Sequence, residues 1–103
     1  MAEEQMQTTM QLIINAGNAK SCAMEAISAA KNQEFATADT KLDEAQTALN
    51  EAHNVQTKML TEEAQGNHTE ISLLMVHSQD HLMTAITFID LAKELVDLYR
   101  KIA

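Results

Sequence analysis

Proline and tryptophan are missing from the chain altogether, glycine occurs twice, and Phe35, Phe88 and Tyr99 are the only aromatic residues. Without proline nothing in the backbone forces a break, and the dominance of Ala, Leu, Met, Glu, Gln and Lys is the composition of long helices. Basic residues are also scarce: seven stand against fifteen acidic ones, for a formal charge of −8. Phosphates would be repelled, which excludes a nucleic-acid partner and favours a protein with a basic face. Cysteine is limited to Cys22, so no intramolecular disulfide forms, and the thiol is expected to serve as a small buried apolar residue. No apolar run approaches the roughly 20 residues needed to cross a bilayer. The opening MAEEQMQTTM lacks the basic and apolar regions of a signal peptide. A soluble cytoplasmic protein is expected.

What is present is helical periodicity over a single domain, residues 1–103. A first helix is expected over 4–31, with Met6, Met10, Ile13, Gly17, Met24 and Ile27 on one face. Gly17, beside Ala16 and Ala19, predicts close approach of a neighbouring backbone. Asn32, Gln33 and Glu34 form the first connection. A second helix over 35–65 carries the heptad seam Phe35, Ala38, Leu42, Ala45, Leu49, Ala52, Gln56 and Met59, with His53 at its edge, satisfied within the bundle. Gly66 is placed to take a left-handed conformation, and Asn67 to Glu70 has the form of a capping box that starts a third helix over 68–101, with His68 exposed in its first turn. Short connections make neighbours antiparallel, so the fold class is all-α, an up-down-up three-helix bundle. The third helix has three apolar directions: Leu74, Ser78, His81, Ala85 and Phe88; Met75, Leu82, Ile86 and Ile89; and Leu73, His77, Asp80, Thr84 and Leu91. A lone bundle cannot cover all three, which predicts an oligomer built through third helices.

The stretch LLMVHSQDHLMTA, Leu73 to Ala85, is where chemistry concentrates. At about 100° per residue, Asp80 lies about 60° from His77 and His81 about 40° on its other side, so the three share one face. Burying such groups unpaired costs about 1–3 kcal/mol each. Three readings account for them. His-x-x-x-His offers two nitrogens to a metal, and the spacing mimics a zinc-peptidase pattern with Asp in place of Glu. A neutral imidazole, with an ordinary pKa near 6.5, is also a nucleophile able to carry a phosphoryl group, and His81 one turn along would bond the phosphate oxygens. With no glycine-rich phosphate cradle in the chain, the donor would be a phosphoprotein and not ATP. Thirdly, the polar groups would set the register of an oligomerisation or adaptor module.

The runs VHSQDHLMTA (Val76 to Ala85), EAHNVQT (Glu51 to Thr57) and LIINAGNAKS (Leu12 to Ser21) closely resemble the enzyme IIA component of the lactose/cellobiose class of the bacterial phosphoenolpyruvate-dependent sugar phosphotransferase system, across essentially the whole chain. The VHSQDHLM form is more similar to cellobiose- or chitobiose-type members than to lactose ones. The resemblance implies a homotrimer in which His77 takes a phosphoryl group from the phosphohistidine of HPr and passes it to a cysteine of the cognate IIB component. His81 and Gln79 then position the phosphate, and the membrane is reached only indirectly, through the IIC transporter. It also implies that three Asp80 carboxylates meet on the threefold axis around a divalent metal ion such as Mg²⁺. The Asn32-Gln33 connection departs from the glycine-containing turn of that family. A histidine phosphotransfer domain of signalling relays is excluded, because its His-x-x-Lys-Gly pattern is absent.

Helical angles add an expectation of their own. With Asp80 on a threefold axis, His77 lies about 60° to one side and Gln79 about 100° to the other. The site is then a crevice between subunits, with His77 and His81 from one chain and Gln79 from the next. Converging carboxylates repel, and a cation with oxygen ligands relieves that. The delivery of phosphate between two partners further predicts an apolar rim around His77, with Met75 and Met83 as candidates.

Overall fold

The computed structural model describes residues 3–103, and Met1 and Ala2 lie outside the described residues. Three long helices follow one another: α1 (Glu3–Lys31), α2 (Phe35–Ala64) and α3 (Leu73–Ile102). They form a slender antiparallel bundle 52 × 22 × 19 Å in extent. No helix among the described residues is long and apolar enough to cross a membrane.

The central helix is α1, which packs against both of the others far more extensively than they pack against each other. Its buried face is not the methionine line. Of the expected face, Met6, Met10 and Met24 are exposed, Ile13 and Gly17 are half-buried and Ile27 alone is buried, whereas Thr9, Leu12, Ala16, Ala19, Ala23, Ala26 and Ala30 are buried at alternating three- and four-residue spacing. Small side chains let two helix backbones approach one surface, and that closeness outweighs the larger area a methionine could bury. The same logic runs along α2, where Ala38, Ala45, Leu49 and Ala52 are buried and Phe35, Leu42, Gln56 and Met59 are half-buried. On α3 the core line is Met75, Ser78, Leu82, Ala85, Ile89, Ala92 and Val96. His53 stands exposed on α2 and not within the bundle.

Both connections close in the same way. At the end of α2 the amide of Gly66 donates to Glu63 O and that of Asn67 to Glu62 O, with Gly66 at φ +91°. This is a Schellman closure, which satisfies carbonyls left free by the last turn. At the end of α1 the amide of Gln33 donates to Ala30 O and that of Glu34 to Ala29 O, with Gln33 at φ +60°. Gln33 thus holds the left-handed position that glycine takes at lower cost, which resolves how a turn without glycine is made.

The third helix starts later than its capping-box pattern suggests. Residues 67–72 form no helix, and Ser72 is the cap, accepting a hydrogen bond from the Met75 amide at 3.2 Å. Asn67 is drawn into closing α2 instead, and Gln5 Nε2 donates to Glu70 O at 2.9 Å, fastening this segment to α1. His68 lies in it, exposed and paired with Glu63. At the far end Lys101 meets Asp97 at 3.3 Å, an i, i+4 pair, while Arg100 pairs with Asp39 on α2 and lies over the Phe35 ring.

Candidate functional site

The middle of α3 separates its polar residues by direction. Asp80 and His77 are exposed, His81 and Gln79 are half-buried, and Ser78 is fully buried with its hydroxyl donating to Met75 O at 2.7 Å. His77 and His81 lie one turn apart with stacked rings, centroids 5.6 Å apart and planes inclined by 21°. The two imidazoles therefore touch, as their shared face requires.

The side of α3 occupied by His81 rests on α1. Lys20 Nζ lies 3.1 Å from His81 Nδ1 and donates to Thr84 Oγ1 at 2.8 Å. Gly17, one turn earlier on α1, leaves space beside the ring: a methyl group there would stand 3.5 Å from His81 Nε2. The glycine thus faces an imidazole and not the neighbouring backbone that its small size suggested. Burial above all, then the Lys20 ammonium and His77, holds His81 below the ordinary histidine range, with Asp80 pulling the other way. These causes favour the neutral form of His81.

Gln79 faces the other flank. Its Oε1 accepts from Gln56 Nε2 of α2 at 2.9 Å, and its own Nε2 donates to Met75 Sδ at 3.6 Å. Within one chain Gln79 is thus joined to α2, away from the imidazoles, while Asp80 projects between the two flanks. Asp80 sits in an outward line with Val76, Met83, Leu91 and Leu98, apolar residues each more than half exposed. Of the two methionines expected to rim the site, Met83 is exposed and Met75 is buried. No group of three or more His, Cys, Asp or Glu able to hold a metal ion occurs among the described residues, which leaves the single-chain zinc reading without a ligand set. Cys22 lies half-buried and well away from this face in sequence, 3.8 Å from Glu44 Oε2, and burial followed by Glu44 and Glu25 pushes its thiol up.

This chemistry has close relatives. Residues 7–100 match the family described as PTS system, Lactose/Cellobiose specific IIA subunit. The chain belongs to that family. It is 49% identical over 102 residues to the lichenan-specific phosphotransferase enzyme IIA component of Bacillus subtilis strain 168, covering 99% of this chain and 93% of the relative. Among solved structures, the cellobiose-specific enzyme IIA of Bacillus anthracis superposes with a TM-score of 0.94 at 50% identity, covering 99% of this chain and 94% of the other. The IIA(Chitobiose)-HPr complex of the N,N'-diacetylchitobiose branch of the Escherichia coli phosphotransferase system matches with a TM-score of 0.83 at 44% identity, covering 98% of each chain. The chain is thus a phosphoryl-carrying component of the phosphotransferase system, and the adaptor alternative is not favoured.

Three residues at the site escaped the sequence reading: Lys20, Thr84 as a bonding partner, and Gln56. Lys20 did carry a signal. It lies one turn after Gly17 in a helix whose only other basic residue is the terminal Lys31. Pairing it with His81 required knowing how α1 and α3 are rotated against one another.

Proposed function

We propose that His77 is the phosphoryl acceptor, taking the group from the phosphohistidine of HPr and passing it to a cysteine of the IIB component. The observation that carries this reading is the exposed His77 ring stacked on the anchored His81. A lone pair of His77 forms the new N–P bond as the donor's N–P bond breaks and returns its electron pair to the donor imidazole. In the second half, a cysteine thiolate forms an S–P bond and the N–P bond to His77 breaks. His81, and Gln79 from a neighbouring chain, position the phosphate oxygens; positioning and charge stabilisation are most of what phosphoryl transfer demands. The Escherichia coli relative bound to HPr supports the choice of donor. Relatives named for lichenan, cellobiose and chitobiose match about equally well, which fits a shared relay whose disaccharide is chosen by the membrane component.

The same reading includes a homotrimer. Its support is the outward line Val76, Met83, Leu91 and Leu98, an apolar stripe that a single chain leaves in water. Asp80 within that stripe would bring three carboxylates to the axis. One carboxylate per chain cannot hold an ion, but three together offer the oxygen donors that Mg²⁺ prefers and would otherwise repel one another.

The test is incubation with enzyme I, HPr and phosphoenolpyruvate followed by intact-mass spectrometry. One added phosphate per chain, absent in His77→Ala, is expected. Unmodified protein, or phosphate retained by His77→Ala, overturns the assignment.

A further inference from the structure

We propose that Lys20 is a positioning residue for phosphoryl transfer, fixing His81 as the tautomer that carries its hydrogen on Nε2 and presenting that N–H to the phosphoryl group on His77.

An ammonium has three hydrogens and no lone pair. At 3.1 Å from Lys20 Nζ, His81 Nδ1 can only accept, and a neutral imidazole that accepts at Nδ1 must hold its hydrogen at Nε2. Lys20 itself is fixed by a second bond, to Thr84 Oγ1 at 2.8 Å, so the ammonium spans one turn of α3. Thr84 is in turn held to its own helix, its hydroxyl lying 2.9 Å from Asp80 O and 3.2 Å from His81 O. The Nε2 end of the ring lies beside Gly17, where a methyl group would stand at an ordinary contact distance of 3.5 Å and glycine leaves that space open. Stacking against His77, with ring centroids 5.6 Å apart, brings the His81 ring beside the ring that accepts phosphate. Lys20 therefore acts at one remove: with the other tautomer, His81 would turn a lone pair on Nε2 towards phosphate oxygens and repel them. This inference rests on His77 as the acceptor, but its first test needs no phosphate at all.

Long-range ¹H–¹⁵N correlation spectra of uniformly ¹⁵N-labelled, unphosphorylated protein at neutral pH read the tautomer directly. The Nε2–H form of His81 is expected in the wild type, with the Nδ1–H form gaining population in Lys20→Met and the wild-type pattern returning in Lys20→Arg. An Nδ1–H ring in the wild type, or a spectrum unchanged in Lys20→Met while its helical circular dichroism is retained, overturns the proposal. Rapid-quench measurement of transfer from phosphorylated HPr supplies the second readout. Lys20→Met should slow transfer about tenfold, the order of one positioned hydrogen bond, and should have little further effect in a His81→Gln background, where no tautomer remains to be set. Full additivity of the two substitutions would overturn action through His81. If wild-type His77 accepts no phosphoryl group, the carrier assignment falls, whereas the tautomer result is decided separately.

Discussion

The inward and outward faces of α3 are built from the same kinds of residue in the same helix, yet they do different work. Inward, Met75, Leu82, Ile89 and Val96 are buried against α1 and α2, and the polar Ser78 among them spends its hydroxyl on its own backbone. Outward, Val76, Met83, Leu91 and Leu98 lie exposed with Asp80 in their midst. The two histidines sit at the border: His81 leans on α1 and is bonded to Lys20, while His77 stays open to a partner. The difference teaches that apolarity alone does not locate the core. A face is core when a neighbouring helix of the same chain reaches it; otherwise it is available for assembly.

The largest expected effect is on the inward face. Leu82→Ala, at a fully buried position, should lower unfolding stability by about 2–5 kcal/mol, read from urea denaturation; a loss below about 1 kcal/mol would mean that the inward face is not the core. Met83→Glu on the outward face should leave the stability of a single chain within about 0.5 kcal/mol, while sedimentation shows the assembly falling to monomers. Collapse of the fold itself would erase the distinction between the faces. Asp80→Leu should act in the opposite direction to Met83→Glu. In the proposed trimer it removes converging carboxylates, so that trimer should persist after chelation and associate about tenfold more tightly, a gain of about 1.4 kcal/mol; dissociation of that variant would overturn the proposed repulsion between Asp80 carboxylates. The smallest effect belongs to a control that touches neither face. Gln33→Gly, at φ +60°, should raise stability by about 0.5–1 kcal/mol without altering assembly or phosphoryl uptake. A change in either would mean that global stability, and not the faces, governs both.

Much of the architecture was legible because helical periodicity and punctuation are local. The ends of α1 and α2, the left-handed Gly66, the alanine-bearing seam of α2 and the shared face of His77 and His81 all follow from spacing along one helix. Local spacing is a poor guide where two local signals compete or where small side chains decide which face packs. The Asn67 to Glu70 capping pattern lost to Ser72, because Asn67 and Glu70 were already engaged in closing α2 and meeting Gln5. Spacing groups Met6, Met10, Met24 and Ile27 on one face of α1, but close packing selects the alanines, and of these four only Ile27 is buried. For Gln79 the wheel gives only an angle, on the flank away from His77; that α2 supplies Gln56 as its partner within the chain is beyond any wheel.

By itself, then, the sequence determined three helices, two turns, and one face carrying His77, Asp80 and His81, since each depends on residues a few positions apart. The tertiary structure decided which of the two imidazoles is free. His77 and His81 are chemically identical and one turn apart, and only the rotation of α1 against α3, which brings Lys20 and Gly17 onto His81 across more than sixty residues of chain, leaves His77 as the open one. Contacts at that separation depend on how two packed surfaces settle against each other, which no single helix encodes.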